Sequence, residues 1–431
     1  MIPVDRRELA ARIESDLRLR VLPYWLRTTV DRASGGYRVD DTHRTGRDIL
    51  RGVRSRIKRA IRPPSAPHSR EWHVVAQARL LYVFSLAHRL GYGDGGRQYL
   101  DAAEHGYRFL KSRLWDDRHG GVFWRVGESG EVKSADKWLY GQSFALYALV
   151  EHYRAGGRAE VLADARALFQ VVQEKMVDRR HGGWIELLAW DFSPLQEGRP
   201  TAESGIHHIN GLKSANGHLH WMEALTELLE VGGGAAERAA LAEALRINIE
   251  VFFARPGMSP SHVTADWQPV VSAPFDHFTY GHDVEFAWLM LRAQQVLQAP
   301  ADTRLFASIM SHSLDGGFDW VRGGFYLKGR RGEATAFDTS KVWWPQAEGL
   351  AALTDALLTP GSGDHARYEH GLALLFDWIW RHQRLRDGVW VWSTDAAGRI
   401  QVPIKANDWK AGYHEVRAMT KAVGTLRAGS D

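Results

Sequence analysis

The sequence contains no cysteine. That removes disulfides, thiolate zinc sites, iron–sulfur clusters and cysteine nucleophiles together, and leaves histidine and carboxylates as the side chains able to hold a metal. No apolar run reaches the ~18–20 residues that a membrane-spanning helix needs. The first twenty residues, MIPVDRRELAARIESDLRLR, are charged throughout and do not read as a signal peptide. A cytoplasmic protein without a membrane partner is therefore expected. There is no P-loop, and no dinucleotide fingerprint in a strand–turn–helix context. Strong strand alternation is scarce as well; VFWRV and VWVWS are short pieces beside glycine turns.

An excess of one charge is nearly absent too. The 431 residues hold 55 Lys and Arg against 51 Asp and Glu, a net charge of +4. That excess is local. Residues 44–70 carry nine basic residues and one acid, a net of +8, which leaves the rest of the chain at −4. A basic surface spread over the fold is excluded, and no nucleic-acid partner is expected. Within this segment Leu50, Val53, Ile57 and Ile61 share one helical face, with Arg47, Arg51, Arg54, Lys58 and Arg62 elsewhere, and Pro63-Pro64 ends the pattern. It reads as a basic insertion, a surface helix or a flap over a site, with an anionic-ligand or membrane-surface contact as the other reading.

What the chain has in quantity is glycine and tryptophan, 42 and 18 residues. They recur together as Gly-Gly-aromatic turns, often preceded by Asp: Asp31…Gly35-Gly36-Tyr37, Asp117…Gly120-Gly121 before Phe123-Trp124, and Asp178…Gly182-Gly183-Trp184. Further copies are Asp315-Gly316-Gly317-Phe318, Gly323-Gly324-Phe325-Tyr326 and Asp387-Gly388 before Trp390. A degenerate unit near residues 255–261 completes about six repeats of roughly 60–85 residues. Between the turns, apolar spacings at i, i+3, i+4 and i+7 predict twelve helices, near 7–28, 71–91, 98–114, 137–155, 159–177, 215–231, 236–254, 282–298, 302–313, 341–358, 365–383 and 411–427. Six helical hairpins with short β-hairpins in their loops predict an all-α fold, an (α/α)6 barrel, as one catalytic domain over 1–431 with the basic insertion at about 44–70. A two-domain α-solenoid is the structural alternative.

Alternate helices carry polar residues in their first turns: Arg79; Lys137, Tyr140 and Gln142; Asn216, His220 and Glu223; His282 and Glu285; Lys341, Trp344, Gln346 and Glu348; His414 and Arg417. As inner helices of a ring they would aim these groups at one mouth, as a concave small-molecule site requires. Asn216, His220 and Glu223 share one helical face, so the carboxylate can hold the imidazole; a buried, satisfied His is the other reading. His282 and Glu285 stand i, i+3 at a helix start, where a carboxylate fixes a tautomer and raises an imidazole pKa. His414 enters the last helix five residues after Trp409, either as a base beside a stacking platform or as a packed helix start. Trp344 and Glu348 put an indole and a carboxylate on one face, and Arg79 lies in an apolar helix, where a guanidinium needs an acceptor. His207-His208 precede the Asn216 helix in a loop able to line a site. The two His-x-x-Glu pairs also raise a metal reading, but the order is the reverse of di-iron bundles and partner glutamates are not evident.

Taken in order, KWLYGQSFALYALVEHY, NGHLHWMEALTELL, YGHDVEFAWLMLRA, KVWWPQAEGLAAL and WKAGYH resemble the N-acylglucosamine 2-epimerase superfamily over about residues 20–425. YGQ-x-F, GHD-x-E and WWPQAE are similar to its cellobiose 2-epimerase and mannose 2-epimerase branch. The resemblance implies an (α/α)6 barrel that interconverts sugar epimers at C2, or aldose and ketose, with no redox cofactor and no metal. It implies His282 and His414 as paired acid–base residues, Arg79 and His220 at the O1/O2 end, and Glu285 as the residue that orients His282. Tyr140, Asn216, Trp344, Trp409 and Glu348 would contact the sugar. The chemistry fits these residue types: moving a C2 proton needs a near-neutral base and donors for the enediolate, and two bases on opposite faces invert C2.

The expected activity is a sugar 2-epimerase for glucose- and mannose-configured reducing sugars, free or at the end of a β-1,4 disaccharide, in a monomer or homodimer. The alternatives are a mannose-to-fructose aldose–ketose isomerase, an inverting (α/α)6 glycoside hydrolase, which needs two carboxylates ~6.5–9.5 Å apart, and a sugar-binding protein. NGHLH in place of the NTHLH associated with disaccharide epimerases leaves substrate length open.

Overall fold

A computed structural model describes residues 5–39, 71–93, 95–201 and 207–428. The basic insertion expected at 44–70 lies outside the described residues. Among these described residues twelve helical rods follow one another. The first is α1 (Arg6–Asp16), which runs through a π turn (Leu17–Val21) into α2 (Leu22–Thr29). The others are α3 (Val74–Arg89), α4 (Gln98–Phe109), α5 (Leu139–Gly156), α6 (Ala159–Lys175), α7 (Ala215–Glu230), α8 (Ala235–Ile247), α9 (Tyr280–Leu297), α10 (Thr303–Gly316), α11 (Trp343–Leu358), α12 (His365–Trp378) and α13 (Tyr413–Ala428). Single π turns extend α4, α8 and α12 at their C-terminal ends.

The width of the apolar face decides which layer each rod occupies. In α5 every residue from Leu139 to His152 is buried, so this helix meets neighbours on all sides. In α6 the buried residues are Val161, Leu162, Ala165, Leu168, Phe169 and Val172, a single stripe for an outer helix. The inner helices form a closed ring: α3 packs on α5, α5 on α7, α7 on α9, α9 on α11, α11 on α13, and α13 returns to α3. The outer rods lean on this ring pairwise, α1 on α13, α4 on α3, α6 on α5, α8 on α7, α10 on α9 and α12 on α11. This is the (α/α)6 barrel expected from the repeat.

Short antiparallel strands lead into five of the inner helices and gather their N-termini at one mouth. Glu71–His73 pairs with Arg125–Gly127, Lys137–Trp138 with Leu187–Leu188, Lys213–Ser214 with His262–Val263, His277–Thr279 with Lys328–Arg330, and Lys341–Val342 with Ser393–Thr394. The residues 71–73, 137–138 and 341–342, expected in helices, are spent on these strands.

The glycine repeat is a clamp that fixes each strand to the turn before it. In one unit Asp116 Oδ1 accepts from the backbone N–H of Arg118 and His119 at 3.0 Å each, and its Oδ2 accepts from Lys137 Nζ at 2.7 Å. Lys137 also donates to the Gly120 carbonyl, while Gln142 brackets Val122 through its N–H (2.8 Å) and C=O (3.0 Å). Gly121 has φ 73° and a Cβ there would stand 2.8 Å from Gln142 Oε1, so glycine is required twice over. Asp319, Lys341 and Gln346 repeat the arrangement around Gly323 and Phe325.

Three expectations are corrected here. The clamp acid of the second unit is Asp116, not Asp117. Gly316-Gly317 is the end of α10 rather than a turn, and the ring of Tyr280 fills the space a Cβ on Gly317 would need. Lys137, Gln142, Lys341 and Gln346, expected at the mouth with the site groups, are buried clamp members.

Candidate active site

At the mouth where the inner helices begin lies a cavity of about 420 Å³. Tyr140, Asn216, His282 and Trp409 line it, with Trp138, His208 and Glu186 beside them. His207 and His208 both reach this wall, as their loop position suggested. Tyr140, Asn216 and His282 stand in the first turns of α5, α7 and α9, where the strand pairing fixes their height in the barrel.

Arg79 projects from the apolar α3 and finds its acceptors across the ring. Its Nη2 donates to Tyr140 Oη at 2.9 Å and its Nη1 to the Trp409 carbonyl. The guanidinium carbon sits 4.4 Å from the centroid of the Phe144 ring and 5.2 Å from that of Tyr413. No carboxylate pairs with it among the contacts of the described residues, which leaves its charge available to an oxyanion. His220, on α7, packs edge-on against Tyr140. Its Nδ1 lies 2.9 Å from Glu223 Oε2, so the expected i, i+3 pairing is formed.

His282 and His414 meet on one indole. The Trp344 ring is 4.8 Å from the His282 ring and 5.9 Å from that of His414. Each imidazole has Nδ1 committed. His282 Nδ1 lies 2.8 Å from Thr279 Oγ1, and His414 Nδ1 lies 2.6 Å from Glu348 Oε1. Among the described residues no hydrogen bond engages the Nε2 of either ring. Burial pushes the His282 pKa down to about 3, and burial together with Arg79 and Arg417 holds His414 well below the usual imidazole range. Both rings are neutral near pH 7, the form a base requires.

Below the two histidines is a buried charged floor centred on Arg417 of α13. Its Nη1 pairs with Glu223, and its Nη2 lies 2.6 Å from Glu285 Oε1 and 2.7 Å from Glu348 Oε1. Tyr413 Oη donates to both oxygens of Glu223, at 2.6 and 2.8 Å. Burial alone raises the Glu223 pKa, but Arg417, His220 and Tyr413 reverse this and hold it at about 2. Glu285 and Glu348 are pushed up, by burial first and by nearby carboxylates. Glu285, Glu348 and His414 each bring one ligand-type atom within 4.8 Å of the others, a spacing a metal could use. The cation present in that space is the Arg417 guanidinium, touching both carboxylates.

Two sequence-based placements change. Glu285 does not hold His282; Thr279 does, because the hydroxyl that caps α9 is already at the imidazole while Glu285 turns to Arg417. Glu348 does not reach the cavity. It is fully buried, with Oε1 on His414 and Arg417 and Oε2 accepting from Trp288 Nε1 at 3.1 Å. Arg417, expected with the groups aimed at the mouth, lies instead in the buried floor, and sequence reasoning gave no role to Tyr413, Thr279 or Glu186. The positions of Tyr413 and Arg417, i and i+4 across His414, were a usable signal. Glu186 was not findable, since its helix-free stretch WIELL shows no pattern. It is buried on the cavity wall, accepts from Ser214 Oγ at 2.6 Å, and burial raises its pKa to about 7.

Known proteins agree with this architecture. A cellobiose 2-epimerase of Bacteroides fragilis is 29% identical over 433 residues, covering 96% of this chain and 99% of the relative. The solved cellobiose 2-epimerase of Spirochaeta thermophila superposes with a TM-score of 0.80 at 26% identity, covering 99% of this chain and 98% of that one. A D-mannose isomerase structure, 19% identical, shares the fold with a TM-score of 0.77 over 99% of this chain and all of that one. No described helix is long and apolar enough to cross a membrane. The family model for N-acylglucosamine 2-epimerase matches residues 62–418, which include all ten side chains proposed from the sequence, and the chain is thus an isomerase of the N-acylglucosamine 2-epimerase family.

Proposed function

We propose that the enzyme epimerises a glucose- or mannose-configured reducing sugar at C2, with His282 and His414 as the two proton-transferring groups. The observation that carries this reading is the pair of imidazoles on Trp344, each with Nδ1 occupied and Nε2 left for substrate. In the open-chain sugar, one Nε2 removes the C2 proton while the electron pair moves onto the C1 carbonyl oxygen. Arg79 meets the enediolate with its uncommitted charge, and His220, aligned by Glu223, donates at the O1/O2 end. The other imidazole returns a proton to the opposite face of C2, which inverts the centre. The Trp344 and Trp409 indoles supply flat apolar surface for the sugar, and Tyr140 and Asn216 supply polar contacts on the wall.

Glu348 acts behind His414. A carboxylate at Nδ1 stabilises the imidazolium that forms when Nε2 takes the proton. Glu285 and Glu223 balance Arg417 below. The inverting-hydrolase alternative loses support from this arrangement, because both carboxylates nearest the histidines are tied to one guanidinium and each offers an oxygen within 4.8 Å of the other. The aldose–ketose alternative keeps the same residues and differs in delivering the proton to C1. Incubating D-mannose, D-glucose and cellobiose separately with enzyme in D2O and following C2 by NMR tests the reading. The expected product is the C2 epimer with deuterium at C2; a ketose assigns the isomerase, and no change at C2 in any sugar refutes the proposal.

A further inference from the structure

Asp283 is used neither by the clamps nor by the floor of the site. At its position in α3, α5, α7 and α11 stand Gln77, Gln142, His218 and Gln346, and each holds the backbone of a glycine turn. Five residues before Gln142, His218 and Gln346 come the clamp lysines Lys137, Lys213 and Lys341; five before Asp283 comes Phe278. The clamp has lapsed in this unit and a carboxyl group occupies its place. Asp283 is 1% exposed, Oδ1 accepts from Ser259 Oγ at 3.3 Å, and Oδ2 has no partner among the described residues. A cavity of about 100 Å³ lies beside it, its walls mostly apolar (Ala215, Phe253, Pro260, Phe278) but reached by Asp283, Ser259, Ser261, Thr279, His277 and His282. His282 is thus shared between this cavity and the sugar cavity. At ~30 Å³ per water, its volume admits a short chain of waters, held by the few polar groups that break the apolar wall.

The role of Asp283 rests on the reading of His282 as one of the two proton-transferring groups. A neutral imidazole that delivers its Nε2 proton is left as a high-energy imidazolate unless Nδ1 gains a proton in the same event. The group at Nδ1 is Thr279 Oγ1, which also accepts from the His282 backbone N–H at 3.3 Å. When the ring carries its proton on Nε2, the hydroxyl proton is directed at Nδ1. We propose that Asp283 is the proton reservoir behind His282, a positioning residue that never touches substrate. As Nε2–H passes to C2 of the enediolate, the Thr279 proton passes to Nδ1 and the Asp283 carboxyl proton passes through the cavity to Thr279. Net, one proton moves from Asp283 to C2, the enediolate charge is discharged, and Asp283 is left as a carboxylate that solvent reprotonates between turnovers. Run backwards, the same chain makes His282 a base. Burial supports this by raising the Asp283 pKa to about 8, so that the carboxyl carries its proton at neutral pH.

Asp283→Asn keeps the shape and cannot release the proton. The test follows, in D2O, whichever of mannose and cellobiose the wild type converts. NMR reports both epimer formation and deuterium at C2 of recovered substrate, starting from the epimer whose C2 proton faces His414. The expected result is epimer formation slowed at least about tenfold, exchange into substrate and KM each within about twofold of wild type, and a folded circular-dichroism spectrum. A wild-type ratio of epimer to exchange overturns the proposal, as does an equal loss of both in folded protein. Thr279→Val, which cuts the chain at its other end, must reproduce the uncoupling, and Thr279→Ser must reverse it; a wild-type ratio in Thr279→Val overturns the proposal even if Asp283→Asn does not fold. Epimerisation by His282→Ala would instead remove the underlying reading, and is distinguishable from an unaffected Asp283→Asn in an enzyme that His282→Ala inactivates.

Discussion

Replacing Glu348 by glutamine separates an orienting carboxylate from a sugar contact. Glu348 Oε1 lies 2.6 Å from His414 Nδ1 and 2.7 Å from Arg417 Nη2, and the side chain is fully buried away from the cavity wall. A hydrogen bond to a charged group contributes about 1.5–3 kcal/mol. The bond to His414 becomes an ion pair as well when the ring is an imidazolium, so most of its loss falls on the transition state. At about 1.4 kcal/mol per tenfold, Glu348→Gln lowers kcat by about 10- to 150-fold. KM stays within about twofold, because the side chain does not reach the cavity. Arg417 keeps Glu223 and Glu285, so the variant folds. Steady-state kinetics of C2 epimer formation, with a thermal melt alongside, measure all three. A raised KM with kcat intact would show Glu348 at the sugar and refute the reasoning, and an unchanged kcat would refute it equally.

The same geometry sets the outcome of three further perturbations. Arg79→Gln removes the charge that meets the enediolate and lowers kcat by about 10²–10³-fold, read by single-turnover epimer formation; a loss confined to KM contradicts this. A base must be unprotonated, and a lowered pKa moves its protonation to lower pH. With His282 held at about 3 and His414 also depressed, the acid limb of kcat/KM falls below pH 5 rather than near the ~6.5 of a free imidazole. A limb centred at 6.5 contradicts the burial argument. Lys341→Met leaves the buried Asp319 unpaired and costs about 3–5 kcal/mol, measured by chemical denaturation, with KM unchanged; a stable protein with altered KM would return Lys341 to the site.

The fold was legible because one signal was repeated. A single Gly-Gly-aromatic turn is weak, but about six at similar spacing between 3.6-residue periodicities specify stacked hairpins. The sequence showed equally well that polar groups begin the inner helices. It could not show which of those groups face inward to a turn and which face the cavity, since Lys341 and Trp344 differ by less than one turn of helix. Pairing across the ring was also hidden. Glu285 stands i, i+3 from His282, and only the approach of Arg417 from α13, 132 positions away, draws it off. Thr279 went unnoticed because a hydroxyl before a helix is ordinarily just a cap, and here it is both the cap and the partner of His282. Asp283 looked like part of a motif, and its missing lysine becomes visible only when the clamps are compared unit by unit.

The proposed chemistry stands on two imidazoles moving one proton at C2. NMR of C2 in D2O tests that most directly, with wild type, His282→Ala and His414→Ala compared on the same sugar. A two-imidazole mechanism predicts a deuterated C2 epimer from wild type and no epimer from either variant; full epimerisation by either alanine variant, or a product that keeps the original C2 proton, would contradict it.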